Sequence, residues 1–252
     1  TFTAAENQTA IGTVTATDAD GDDVTFTVSG SELEITSAGV LTFATAPDYE
    51  TKTSYTATVT ASDGTNSTTQ DITVNVTNVN DVAPEFTSDA TFSAAENQTA
   101  IGTVTATDAE GDTVTFTISG TDLEITSAGV LTFASAPDYE TDTSFTATVT
   151  ASDGTNSTTQ DITVNVTNVN DNSPQFTSGA NFSAEENQTA IGTVTATDDD
   201  GDTVTFTISG SELQITSAGV LSFVSAPDYE SKDTYTATVT ASDGTNTTTQ
   251  DI

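Results

Sequence analysis

The chain has 252 residues, two lysines, no arginine, 38 acidic residues and a formal net charge of −36, with no cysteine, histidine, methionine or tryptophan. Such a surface repels phosphate backbones and anionic lipid, which removes the main driving force for binding nucleic acid or inserting directly into a membrane, and makes cations its natural partners. A disulfide framework is excluded, and the His and Cys that most often serve as acid, base or nucleophile are missing, so the chain is read as no enzyme.

The elements repeat. AAENQTAIGTVTATDADGD at Ala4 recurs from Ala94 and again, slightly changed, from Ala184, a period of about 90 residues. The first two units agree at about 77 of 90 positions, so one fold must serve both. In the second unit a leading strand is predicted over Phe86 to Ser93. It is followed by AIGTVTATD (100–108), DTVTFTISG (112–120), DLEIT (122–126), GVLTFA (129–134), SFTATVTASD (144–153) and TTQDITVNVTNVND (158–171). Each alternates apolar with small polar residues, the period-two signature of half-buried strands, and AEGD, SAG and SDGTN supply the turns.

About seven short strands in each ~90-residue unit predict an all-β chain of tandem seven-stranded antiparallel Greek-key β-sandwiches in a linear rod. The expected repeats are 1–81 (start incomplete), 82–171, and 172–252 (last strand incomplete). The alternation nominates Ile101, Val104, Ala106, Val114, Phe116, Ile118, Leu123, Ile125, Leu131, Phe133, Phe145, Ala147, Val149, Ile162, Val164 and Val166 as the core of the second unit.

Each unit carries a Glu in EN (Glu6, Glu96, Glu186) and a PDYE pair (Asp48 and Glu50, Asp138 and Glu140, Asp228 and Glu230). It also has an acidic pair after VTAT (Asp18 and Asp20, Asp108 and Glu110, Asp198 and Asp200) and an Asp in ASDG (Asp63, Asp153, Asp243). All fall at strand ends or turns. Calcium takes six to eight oxygens from carboxylates, amides and backbone carbonyls in flexible geometry, and softer metals lack their ligands here. A single acidic turn such as DADGDD is read more simply as a turn cap, and Asp22 and Asp23 are assigned that way. The case for a metal rests on the whole set.

EN, PDYE in the place of a D-R-E motif, TNVNDVAPEF and TNVNDNSPQF in the place of D-x-N-D-N-x-P, the acidic pair and the late ASDG occur in the right order along essentially the whole chain. In these the sequence resembles cadherin repeats. The near identity of the units, the abundance of Thr and the scarcity of Lys and Arg look more like the cadherin-like repeats of bacterial surface proteins and adhesins.

The resemblance implies calcium between consecutive repeats, up to three ions per junction. Carried over, junction one uses Glu6, Asp48, Glu50, Asn78, Asn80, Asp81, Asp108, Glu110 and Asp153. Junction two uses Glu96, Asp138, Glu140, Asn168, Asn170, Asp171, Asp198, Asp200 and Asp243. Half-sites remain at the ends, with Asp18, Asp20 and Asp63 at one and Glu186, Asp228 and Glu230 at the other. Asn78 and Asn168 stand where the family usually has an aspartate, and Glu110 stands for an Asp, which predicts a looser first junction.

The function implied is a calcium-rigidified extracellular or cell-surface rod, a spacer or filament whose partners are neighbouring repeats or subunits of the same protein, head to tail. The residues are expected to be a slice of a longer array. The alternative is an adhesin module that recognises a glycan, protein or other cell-surface or matrix ligand.

Overall fold

The computed structural model describes residues 1–252, and every regular element in it is a β-strand. In the second repeat, a four-stranded sheet runs in the order Thr115–Ile118, Ser144–Ser152, Ser157–Thr167, Thr91–Ala95. Facing it is a three-stranded antiparallel sheet of Ala100–Thr103, Val130–Phe133 and Leu123–Ile125, with a two-stranded ribbon, Glu85–Phe86 with Ala106–Thr107. Between the sheets lies one core of 11 buried residues. All sixteen expected core positions are buried in it or packed against it; alternation alone did not nominate Ala94, Ala151, Phe86, Phe92 or Tyr139, which join them.

Register explains the burial. Phe145 stands opposite Val164 and Ala147 opposite Ile162, so one face of the long hairpin is apolar, while Thr146 against Thr163 and Thr150 against Thr159 face outward. The first repeat builds the same four-stranded order around its own core of nine buried residues, and the third has a separate, smaller core.

Three expectations are corrected. The leading strand is two strands, Glu85–Phe86 on one sheet and Thr91–Ala95 on the other. The latter pairs parallel with Thr163–Thr167, so the sandwich is not wholly antiparallel. AIGTVTATD also divides: Ala100–Thr103 pairs with Val130–Phe133, with a register slip between Ala100 and Gly102, and the Val104 N–H bonds the Gly129 carbonyl at 2.8 Å, whereas Ala106–Thr107 pairs with Glu85–Phe86. Gly129 has φ +88°, and a Cβ there would stand 2.2 Å from the Val104 carbonyl oxygen; Gly39 and Gly219 repeat the arrangement.

In the third repeat residues 181–185 form no strand, and residues 1–252 include no segment in the place of Thr163–Thr167 to pair with them. Phe182, Ile191, Leu221, Phe223, Tyr235 and Ile252 consequently line an open apolar groove.

Candidate metal centre at the repeat junctions

Glu96, next after the strand Thr91–Ala95, is buried, 3% exposed, as Glu6 is in the first repeat. Its Oε1 accepts the Val169 N–H at 2.7 Å and its Oε2 the Tyr139 N–H at 2.8 Å, so one carboxylate ties the strand end, the PDYE turn and the linker together. Glu6 holds Val79 and Tyr49 in the same way, both at 2.7 Å. A carboxylate survives burial when both oxygens are satisfied by N–H donors.

The downstream repeat reaches back to the same linker. Asp200 Oδ2 accepts the N–H groups of Asp171 at 3.1 Å and Asn172 at 2.8 Å, and Glu110 Oε2 accepts those of Asp81 and Val82, both at 3.0 Å. The extra methylene of Glu110 leaves this grip intact. Junction two adds side-chain bonds from Asn172 Nδ2 to Asp200 Oδ1 at 3.2 Å and from Asn168 Nδ2 to the Asp200 carbonyl at 2.8 Å; Val82, in the place of Asn172, has no side-chain amide to offer in junction one.

These contacts gather carboxylates from both sides of each linker. Oxygens of Glu6, Glu50, Asp81 and Glu110 lie within 4.8 Å of one another, as do those of Glu96, Glu140, Asp171 and Asp200. Next to them Asp108 clusters with Glu110 and Asp112, and Asp198 with Asp200 and Asp202. Asp108 Oδ1 accepts the N–H groups of Glu110 and Asp112, while its Oδ2 is buried with no hydrogen-bond partner. Asp153 Oδ1 accepts two N–H groups at 2.6 Å, and its Oδ2 is likewise buried and unpartnered. Asp198 and Asp243 repeat the pattern in junction two. Buried carboxylate oxygens without a donor are costly, and a hard cation with oxygen ligands is the group this donor set fits.

Other candidates are placed differently. Asp48 and Asp138 lie outside the four-acid clusters and turn to their own PDYE loops, accepting the N–H groups of Glu50 and Glu140 and the hydroxyls of Thr51 and Thr141. Asp18 and Asp63 accept local N–H groups and, with the exposed Asp20, form no cluster. Glu186, Asp228 and Glu230 come together but are all exposed. Asn80 and Asn170 lend their Oδ1 atoms to amides of the following repeat, from Asn156 at 2.6 Å and Asn246 at 2.7 Å. The sequence reading did not select Asp112 and Asp202, nor Asn7, Asn97, Asn156 and Asn246. The signal available for the asparagines was that EN and GTN recur in every unit.

Crowding marks the site electrostatically. Loss of water contact, then the hydrogen bond with Asp138 and the charges of Glu96 and Asp200, push Glu140 from its ordinary 4.5 up to about 7, against a lowering contribution from its own N–H. Glu50 is raised for the same leading reason. Asp200 is held low: desolvation opposes it, but the N–H and side-chain amide of Asn172 and the N–H of Asp171 outweigh that.

A pH dependence follows for the chain in EDTA. Between about 4.5 and about 7 the folded state keeps a proton on Glu140 that the unfolded state has released, so stability falls as pH rises through that window. The melting temperature in EDTA is expected to be lower at pH 8 than at pH 6, and Glu140→Gln to remove most of the difference. Equal melting of the parent chain at both pH values would count against the crowded geometry.

No family model matches the sequence. The chain is 34% identical over 199 residues to the protocadherin-like wing polarity protein stan of Drosophila melanogaster, covering 68% of this chain and 6% of that protein. It is 32% identical over 179 residues to the cadherin EGF LAG seven-pass G-type receptor 1 of Homo sapiens, covering 64% and 6%. It thus spans only a small part of the curated relatives it matches.

Among solved structures, mouse cadherin-23 EC22-24 superposes with a TM-score of 0.72 at 22% identity over 99% of this chain and 93% of that one. The protocadherin gammaB7 EC3-6 cis-dimer structure superposes with a TM-score of 0.75 at 20% identity, over 100% and 75%. An extracellular or cell-surface location is consistent with these likenesses. In sequence and in fold, the three units are similar to cadherin repeats.

Proposed function

We propose that the chain is a stretch of an extracellular rod of cadherin-like repeats, a spacer or filament whose junctions are stiffened by Ca2+. The observation that supports this most is the set of buried, unpartnered carboxylate oxygens of Asp108, Asp153, Asp198 and Asp243, beside two clusters of four acids that straddle the linkers. In junction two, Glu96, Glu140, Asp171 and Asp200 would hold one part of the ion set, and Asp198, Asp243 and Asn170 another, up to three ions in all. Junction one would use the equivalent residues. When bound, the cations supply the positive charge that lets these carboxylates stay close.

The repeats meet near residues 81 and 171, where the NVND linkers lie. The near-identity of the units and the scarcity of lysine support a surface protein of the bacterial cadherin-like type, and head-to-tail repeats or subunits are its proposed partners.

Without ions, repulsion among four acids within 4.8 Å should let the repeats splay. Small-angle scattering of the chain is expected to show a stiffer particle in millimolar calcium than in EDTA, with a higher melting temperature by linkage of binding to folding. Magnesium should substitute poorly, since it prefers few carboxylates and tight octahedral geometry. Identical scattering and melting with and without calcium would overturn the reading.

A further inference from the structure

Two asparagines at each junction that are not among the proposed ligands grip neighbouring linker residues from opposite sides. From upstream, Asn97 Nδ2 donates to Asp171 Oδ2 at 2.6 Å, and Asn7 Nδ2 donates to Asp81 Oδ2 at 2.5 Å. From downstream, Asn246 Nδ2 donates to Asn170 Oδ1 at 2.7 Å and to the Asn172 carbonyl at 2.9 Å, and Asn156 Nδ2 donates to Asn80 Oδ1 at 2.6 Å. We infer that these asparagines form an amide brace that orders the linker before any cation binds, and so act as positioning residues for the junction.

The backbone at Asn97 argues that its amide is the reason for its presence. Asn7, Asn97 and Asn187 have φ of 61°, 61° and 62°, a left-handed conformation that glycine adopts at no steric cost. Elsewhere this chain does use glycine at left-handed turns, twelve times, so an asparagine here gains nothing from the backbone alone. Asn187 keeps the same φ although residues 1–252 include no linker after it, so the loop presents its amide whether or not the partner is there.

The downstream asparagine has its own internal control. Asn66 has no linker before it among residues 1–252; it is exposed and turns its Nδ2 to its own Asp63 at 3.3 Å. Asn156 and Asn246 are half-buried and donate to the preceding linker at 2.6 and 2.7 Å. The same side chain thus makes its short bonds across the junction where one exists.

Amides suit this task electrostatically. A lysine beside Asp171 would order the linker as well, but would bring a charge that competes with a divalent cation. Asparagine donates a hydrogen bond and leaves the negative charge of the cluster in place. Ordering the linker beforehand reduces what must be ordered on binding, and hydrogen-bond partners behind metal ligands commonly account for about 10–100-fold in affinity.

The absence of cysteine allows clean spin labelling of the whole chain at Thr117→Cys and Thr207→Cys, both on exposed strand faces of the second and third repeats. In EDTA, the distance distribution across junction two is expected to be at least about twofold broader in Asn97→Gly combined with Asn246→Ala than in the parent, with unchanged melting of the repeats. Asn187→Gly and Asn66→Ala serve as controls and should leave it unchanged. Equal widths in EDTA would overturn the brace whatever calcium does.

By calorimetry the double variant should bind calcium about 10–100-fold more weakly at junction two. An undiminished affinity would overturn the claim that the brace prepares the site. This affinity measurement rests on the calcium reading. A parent chain that binds no calcium would sink that reading, while the EDTA distances would still decide the brace.

Discussion

Gly129→Ala is expected to destabilise the second repeat by about 4 kcal/mol, near the upper end of single-residue effects. Two costs combine. An L-residue at φ +88° carries left-handed strain of ~1–2 kcal/mol. In addition, the new Cβ would lie 2.2 Å from the Val104 carbonyl oxygen, a backbone atom that cannot swing away, so the 2.8 Å bond from the Val104 N–H to the Gly129 carbonyl must give as well. Gly120→Ala is the matched control, because its φ is also positive at +89° but nothing stands within 4 Å of the added atom. It should cost about 1 kcal/mol, from strain alone. Hydrogen exchange at Ile162 to Val166 would separate the two. A loss of about 4 kcal/mol corresponds to exchange roughly a thousandfold faster for Gly129→Ala. Similar protection in both variants would show that the close approach to Val104 is not maintained in solution.

Glu96→Ala should cost about 3 kcal/mol in EDTA, where no cation contributes. The substitution leaves the part-buried N–H groups of Val169 and Tyr139 without an acceptor, at ~1–3 kcal/mol for each donor stranded away from water. Glu186→Ala, the same change in the third repeat, should cost less than about 1 kcal/mol, because Glu186 is exposed and accepts only the Tyr229 N–H, at 2.9 Å. Denaturant unfolding followed by repeat-resolved hydrogen exchange would measure both. Equal effects would mean that the carboxylate does not tie the linker to the PDYE turn.

Much of this architecture was legible in the sequence, for a physical reason. Two-residue alternation reports which side of a strand meets the core, so Phe145, Ala147, Ile162 and Val164 could be placed inside from their neighbours alone. The division of the leading strand was not legible, since a strand that changes sheets keeps its alternation and differs only in its hydrogen-bond partners. The acids of the junction were legible as a set because each recurs at the period of the repeat. Their separate tasks were not. Glu96 and Asp138 look equally acidic in the sequence, yet one is buried under two N–H donors and the other closes its own turn. The bracing asparagines were missed because amides in a turn are ordinary, and only the distance to Asp171 or Asn170 shows otherwise.

The parallel pairing of Thr91–Ala95 with Thr163–Thr167 has a mechanical consequence. The chain enters the second repeat through the two-residue strand Glu85–Phe86, passes next along Thr91–Ala95, and leaves at the end of Thr163–Thr167; these last two run side by side in the same direction through five matched residues. Tension along the polypeptide therefore drags the pair past each other lengthwise. Their hydrogen bonds share the load at once, whereas a hairpin pulled open at its free end gives them up one after another. The repeat is in this sense fastened by a lap joint, located beside Glu96, where the linker begins.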